Sequence, residues 1–268
     1  MVIDIHTHAF PDKIAARAIA SLQAAMADTS DMVAHTDGTL SGLQDKLIAD
    51  GIDIGVVCPI ATKEKQTETI NEFALGIRNE HLISFGSVYP YQEDYERVLE
   101  ELSENGFKGI KLHPEYQQFD IDSKEAVRII AKCEKLGLTV IVHSGFDPAY
   151  REPYHCTPKK LKNLLECVSG ENVIAAHLGS LMMWDDVEKY LVGTPIMFDT
   201  ANVGGFISPE QYKRIILEHG ADRVLFGSDC PWESPAFSLK KLKELKLPKA
   251  DFEQITYKNA CGILGIKL

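Results

Sequence analysis

The chain has 268 residues, a length that suits one α/β barrel of about 250 residues, although two smaller domains would also fit. Its composition, with 45% hydrophobic and 25% charged residues, is that of an ordinary globular protein. The 28 basic and 39 acidic residues leave a net charge of −11. This charge argues against nucleic acid or an anionic membrane as an obligate partner, because phosphate binding requires a basic surface.

The cysteines and the apolar runs bear on the cellular location. The six cysteines contain no C-x-x-C pair, which favours reduced thiols over a disulfide framework. No apolar run approaches the roughly 18 residues of a membrane-spanning helix. Asp4 interrupts the first apolar run and no basic segment precedes it, so we expect no signal peptide and a cytoplasmic location.

Eight strand-like runs alternate with helical patterns along the chain. The predicted strands lie near residues 2–8, 54–59, 83–88, 107–113, 138–143, 172–177, 195–199 and 223–228. The predicted helices lie near 42–50, 66–79, 92–105, 123–136, 158–168, 184–191, 208–219 and 235–246. Such alternation implies parallel strand pairing. We therefore predict an α/β fold, a (β/α)8 TIM barrel, as a single domain over residues 1–268.

The segment between the first two strands is longer than the later connections. Residues 9–41 hold an alanine-rich helical pattern from Pro11 to Ala27, followed by a polar stretch. This predicts a helical insertion after strand 1. The insertion either covers part of the barrel mouth or packs on the surface without a further role. The tail 249–268 is predicted to close the bottom or the side of the barrel.

Polar side chains that bind metals end five of the predicted strands. The carboxyl ends of barrel strands converge on one mouth, where active sites lie, and apolar packing does not require imidazoles there. His6 and His8 are two residues apart on a strand, so both side chains point to the same face. A catalytic divalent metal is therefore predicted, with the candidate ligands His6, His8, His143, His177 and Asp229.

Asp229 and His177 are also the candidate catalytic residues. A carboxylate that faces several imidazoles is costly to bury without a cation, and Asp229 is placed to take a proton from water. Lys111 and His113 end the fourth strand in register, so we expect both to contact substrate. A carbamylated Lys111 that bridges two metals is the alternative. Arg151 could clamp a substrate carboxylate, unless it is only an exposed loop arginine.

The remaining histidines are expected to take no part in the chemistry. His81 and His219 precede their strands, which places them at the bottom face, where residues serve stability. His35 and His155 lie in long loops on the mouth side and are at most optional substrate contacts.

These motifs together resemble the amidohydrolase superfamily. The resemblance rests on H-x-H in the first strand, the histidines after the fifth and sixth strands, and Gly227-Ser228-Asp229-Cys230-Pro231-Trp232 after the eighth. The last motif, with Ala176-His177-Leu178-Gly179, is similar to the amidohydrolase-2 branch, which includes aminocarboxymuconate-semialdehyde decarboxylase-like enzymes. The resemblance implies a (β/α)8 barrel that binds a divalent metal, commonly zinc.

In that branch the metal ligands would correspond to His6, His8, His143 and Asp229. His177 would orient or deprotonate the water, although in binuclear relatives the equivalent histidine is a ligand. TatD-like deoxyribonucleases carry a glutamate where this chain has Lys111, which argues against a nuclease. Lys111 also lies deeper than a bridging carbamylated lysine would, so one metal ion is favoured and two remain possible.

The predicted activity is hydrolysis by metal-activated water of a C–N or C–O bond in a small, carboxylated or cyclic substrate. Non-oxidative decarboxylation at the same site is the first alternative. A non-catalytic metal-binding barrel is the second, but structural zinc sites are usually closed and rich in thiolates. The expected partner is a small-molecule substrate, and a homo-oligomer is possible.

Overall fold

The strands of the computed structural model, which describes residues 1–267, follow the predicted order. Eight barrel strands are present, and the third is divided at Phe85 into two short segments. The segments are β1 (Ile3–Thr7), β2 (Ile54–Val57), β3 (Leu82–Ser84), β4 (Gly86–Ser87), β5 (Gly109–Leu112), β6 (Thr139–Val142), β7 (Val173–Ala175), β8 (Met197–Asp199) and β9 (Val224–Leu225).

Parallel pairing joins these segments into a closed ring. The strand order is β1-β2-β3 in one sheet and β4 through β9 in the other, and every pair is parallel. The amide of Phe85 donates to Val57 at 3.0 Å and so continues the pairing past the division. At the other side, the amide of Ile5 donates to Phe226 at 3.0 Å. The predicted (β/α)8 barrel is confirmed.

Helices connect the strands in the predicted alternation. They are α1 (Asp12–Met26), α2 (Leu40–Ala49), α3 (Thr67–Leu75), α4 (Tyr95–Glu104), α5 (Pro114–Gln117), α6 (Lys124–Leu136), α7 (Pro158–Leu164), α8 (Trp184–Tyr190), α9 (Pro209–His219), α10 (Pro235–Glu244), α11 (Lys249–Glu253) and α12 (Asn259–Leu264). The side chains of Thr157 and Ser208 cap α7 and α9, each followed by proline at the first helical position. Within residues 1–267, no helix combines the length and the apolar character needed to cross a membrane.

The barrel interior is filled from below by apolar side chains. Ile3, Ile141, Ile174 and Leu225, each from a different strand, pack in one cluster with Leu264 of α12. A second, larger cluster fills the layer between the strands and the surrounding helices. The C-terminal helix therefore packs against the interior cluster, while the opposite end of the barrel carries the polar residues.

The insertion after β1 lies against loops of the barrel mouth. The amide of Phe10 donates to Gly38 at 2.8 Å, which ties the two ends of the insertion together. The amide of His35 donates to Pro231 at 2.8 Å, and the hydroxyl of Thr29 donates to the carbonyl of Pro148. These bonds hold α1 beside the mouth, a position in which its apolar side chains can face a ligand.

Candidate metal centre

Three of the predicted ligands meet directly at the mouth. The Oδ1 atom of Asp229 lies 3.1 Å from Nε2 of His8 and 3.4 Å from Nε2 of His6. Two atoms that bind one tetrahedral zinc at about 2.0–2.1 Å are themselves about 3.3 Å apart. The spacing of these nitrogen and oxygen atoms therefore fits a shared divalent cation.

Hydrogen bonds at Nδ1 leave Nε2 of His6 and His8 as the metal-binding nitrogen. Nδ1 of His6 lies 2.9 Å from Oδ2 of Asp199, and Nδ1 of His8 lies 2.9 Å from the carbonyl oxygen of Cys58. Both partners accept hydrogen bonds, so each Nδ1 carries the proton. Nε2 of His8 then directs a lone pair toward a carboxylate oxygen, a contact that a bound cation would make favourable.

His143 and His177 form a hydrogen-bonded pair beside this group. Nδ1 of His177 donates to the carbonyl of Ala201 at 2.8 Å, so its Nε2 accepts from Nδ1 of His143 at 3.0 Å. This arrangement leaves Nε2 of His143 with a lone pair and, although buried, without a hydrogen-bond partner. Such an unsatisfied buried atom needs an explanation, and a cation or water at the mouth supplies one.

His143 belongs to a second cluster of potential ligand atoms. His113, His143 and Asp147 lie close together, just as His6, His8 and Asp229 do. The rings of His113 and His143 are stacked, with centroids 4.1 Å apart and an interplanar angle of 7°. Nε2 of His113 lies 3.4 Å from Oδ2 of Asp147. The structure thus connects His143 to the first cluster through His177 rather than by direct contact.

The three predicted substrate contacts lie in different places. Nζ of Lys111 donates to Nε2 of His6 at 2.7 Å, so it lies among the candidate ligands. His113 lines the mouth and stacks on Tyr116, with ring centroids 3.9 Å apart. Arg151 is exposed and is not among the residues that line the cavity, so the structure does not bring it to the site.

Burial and neighbouring groups set the charges in the cluster. Burial, together with nearby Lys111, lowers the pKa of His6 to about 4, which keeps its imidazole neutral. Burial alone would raise the pKa of Asp229, but the interactions with His6 and His8 hold it below its ordinary value. Burial raises the pKa of Asp147 to about 7. Neutral imidazoles and an ionised carboxylate are the forms that bind metals.

Asp199 is a site residue that the strand-end analysis missed. Its Oδ2 accepts from His6, while its Oδ1 accepts from the amides of His177 and Ala201 at 2.9 Å and 3.0 Å. A carboxylate on the distal nitrogen of a metal-binding histidine fixes the ring and raises its basicity. Asp199 ends β8, so the rule applied to the other strand ends could have found it; no such signal existed for Asp147, which lies in a loop.

The cluster opens into a cavity of about 760 Å³ at the barrel mouth. The four remaining histidines lie outside its lining. His219 is buried at the opposite end, where it stacks on Phe198, and His155 bonds to Glu115 at 2.7 Å. His219 thus lies at the bottom face as predicted, and His35 and His155, which were at most optional substrate contacts, do not line the cavity.

A family model described as amidohydrolase matches residues 3–266, nearly the whole chain. The chain belongs to the amidohydrolase family. The chain that carries the candidate ligands is thus a member of an enzyme family. These ligands are His6, His8, His143, His177 and Asp229. No curated protein matches the chain.

Several solved structures share this amidohydrolase fold. One is 5-carboxyvanillate decarboxylase from Sphingomonas paucimobilis, with a TM-score of 0.71, 12% identity and coverage of 99% of both chains. The manganese complex of 5-carboxyvanillate decarboxylase from Novosphingobium aromaticivorans has a TM-score of 0.69 and 14% sequence identity. The match covers 99% of this chain and 96% of that one. A putative 2-pyrone-4,6-dicarboxylic acid hydrolase from Pseudomonas putida has a TM-score of 0.65 and 15% sequence identity. The match covers 100% of this chain and 98% of that one.

Proposed function

We propose that this amidohydrolase is a metal-dependent hydrolase that cleaves a C–N or C–O bond of a small substrate. The observation that carries the proposal is the group of His6, His8 and Asp229, whose ligand atoms all lie within 4.8 Å of one another and face the cavity. His143 and His177 complete the proposed ligand set. The nitrogen and oxygen donors suit zinc, and manganese is the ion in one of the related structures.

A bound divalent ion would acidify water and polarise a carbonyl oxygen of the substrate. The protein residues then have separate roles. Asp229 takes the proton from the attacking water and returns it to the leaving group. Asp199 holds His6 in the orientation that keeps the proton on Nδ1 and a lone pair on Nε2, toward which Lys111 points in this structure. His177, which is fixed by the carbonyl of Ala201, orients the water or the substrate carbonyl.

Non-oxidative decarboxylation is the second candidate function. It is favoured by the two related 5-carboxyvanillate decarboxylases and by the amine of Lys111 on the cavity floor, where a substrate carboxylate would find a cation. In that reaction the substrate carboxylate would lie at the metal. His177 would take up a proton from solvent at Nε2 and transfer it to the carbon that loses carbon dioxide.

Product analysis in ¹⁸O-labelled water distinguishes the two reactions. The metal-loaded protein is incubated with amides, lactones and aryl carboxylic acids. One labelled oxygen in the organic product establishes hydrolysis, whereas carbon dioxide release with no label in the organic product establishes decarboxylation. A loaded protein that turns over neither class contradicts both candidates.

Replacing Asp229 tests its role as the proton carrier. Asp229→Asn removes the base while keeping the side-chain shape, so we expect turnover to fall by about 10²–10⁴-fold. Metal content and circular dichroism are measured in parallel, because Asp229 is also a candidate ligand. A folded, metal-loaded variant that retains full activity would exclude Asp229 as the proton acceptor.

A further inference from the structure

Part of the cavity wall is apolar and comes from helices α1 and α3, which carry none of the candidate ligands. We call it the apolar arm and define it by Ile14, Ala18, Leu22 and Met26 of α1 together with Ile70 and Phe73 of α3. The four α1 residues are spaced four apart, so they form a single stripe along the helix. The arm and the cluster line one continuous cavity, so a molecule of sufficient length that binds at the cluster extends into the arm.

The charges around the cavity favour a neutral ligand in this arm. Two lining residues within the described chain are cationic, Lys65 and Lys111. Lys111 lies at the cluster end beside His6, and Lys65 is exposed, where an ion pair contributes little. Asp147 and Asp229 lie at the cluster end. An anionic group placed in the arm would lose its hydration without gaining a buried partner.

The exposure of Ile14 also points to an apolar occupant. Its side chain is 38% exposed although it belongs to the stripe that faces the cavity. Leu22 of the same stripe is only partly buried. Covering such side chains with apolar ligand atoms is favourable, and each buried methylene tightens binding by about fourfold.

We propose that the substrate carries a neutral apolar chain or ring system that fills the apolar arm. The position of its reacting carbonyl or carboxyl group at the metal cluster rests on the proposed function. This substrate class differs from small molecules with several carboxylates, because the arm holds no buried cation to receive a second acid.

Two fluorescent probes with the same ring system test the inference without requiring turnover. N-phenyl-1-naphthylamine is neutral, and 8-anilinonaphthalene-1-sulfonate adds one sulfonate. We expect the wild-type protein to bind the neutral probe at least tenfold more tightly in fluorescence titrations. Equal or tighter binding of the sulfonate would overturn the proposal, since Lys65 would then be receiving an anion.

Paired variants on one helix locate the binding site. Ala18→Glu places a carboxylate in the arm, and we expect it to weaken binding of the neutral probe at least tenfold. Ala20→Glu makes the same change on the exposed side of α1 and should alter binding by less than twofold. Equal affinities in the two variants would overturn the proposal.

A second pair serves if Ala18→Glu does not fold. Ile14→Ser should weaken binding of the neutral probe at least threefold. Ile48→Ser changes an isoleucine that is 49% exposed and does not line the cavity, so it should leave the affinity for the probe unchanged. Equal affinities here also overturn the proposal. Because neither probe needs metal or chemistry, a failed metal or turnover experiment would reject the proposed function and leave this result unaffected.

Discussion

At the scale of single residues, hydrogen bonds from Nδ1 determine which nitrogen of His6, His8 and His177 keeps its lone pair. Asp199 accepts from His6, Cys58 accepts from His8, and Ala201 accepts from His177. Each acceptor places the proton on Nδ1 and so leaves Nε2 with a lone pair. Only Asp199 among these acceptors is a side chain, which makes it the contact that mutation can remove.

Asp199→Asn should weaken metal binding while preserving the fold. The amide can still accept from the backbone at Oδ1, but its NH₂ group would face the Nδ1–H of His6. Loss of such a partner typically costs 10–100-fold in metal affinity. Competition with a chromophoric chelator measures the change, and Asp45→Asn, at an exposed position on α2, is the control. Unchanged affinity would show that Asp199 does not orient His6.

His219 should make the stability of the protein depend on pH. Burial lowers its pKa to about 4, and the ring accepts from Gly193 while facing the carbonyl of Ile196. Below the ordinary pKa of about 6.5 the unfolded state binds the proton more readily, so stability falls as the pH drops toward 4. The expected loss by pH 4.5 is about 2–3 kcal/mol.

Urea unfolding at pH 7 and pH 4.5 measures this dependence. His219→Gln should reduce the difference in unfolding free energy between pH 7 and pH 4.5, because glutamine offers a donor and an acceptor but does not titrate in this range. His81→Gln, at a partly exposed histidine, is the control. Both variants should retain wild-type turnover; a large rate loss in either would contradict their placement at the bottom face.

At the scale of elements, two loops at the mouth are held together by a close backbone approach. Gly145, after β6, pairs with Leu181, after β7, and the amide of Phe146 donates to Leu181 at 3.0 Å. A Cβ atom on Gly145 would lie 2.4 Å from backbone atoms of Leu181. Because Leu181 lines the cavity, this contact helps to shape the wall beside His177.

Gly145→Ala should therefore destabilise the protein more than a glycine substitution in open space. Gly137 also has a positive φ, but a Cβ there would meet nothing within 4 Å. Gly137→Ala should cost about 1–2 kcal/mol from backbone strain alone. The overlap at Gly145 should add about 1–3 kcal/mol. Chemical denaturation measures both, and equal losses would refute the role of the close approach.

At the scale of the whole molecule, the candidate metal site lies where the barrel closes. His6 and His8 belong to the first strand and its end, whereas Asp229 follows the last strand, and the amide of Asp229 donates to His6 at 2.8 Å. A cation held by both ends of the barrel would join segments more than 200 residues apart in the sequence. Its binding energy would then stabilise the closed barrel.

Removal of the metal should lower the melting temperature. A ligand at 100 times its Kd stabilises the folded state by about 2.7 kcal/mol, which corresponds to about 5–10 °C for a chain of this size. Dialysis against a chelator should produce this decrease and re-addition of zinc or manganese should reverse it. His8→Ala should show no metal-dependent shift. Identical melting of the chelated and metal-loaded wild type would argue against the site.

Much of the fold could be predicted because hydrophobic alternation is a local property of the chain. The eight strands and the helices between them lie close to the predicted ranges, and Thr157 and Ser208 cap their helices as expected. The division of the third strand at Phe85 was not predicted. The helix predicted over 66–79 ends at Leu75, before Gly76, because a pattern of apolar residues marks helix ends only approximately.

The sequence by itself determined the barrel and the side chains at its mouth, because strand ends in a parallel barrel must converge. It could not determine their partners. The tertiary structure decided that Asp199 orients His6, that Lys111 bonds to His6, and that Arg151 remains exposed. It also directed the apolar stripe of α1 into the cavity. Such contacts depend on how distant loops pack after the barrel has closed, which no local pattern of residues encodes.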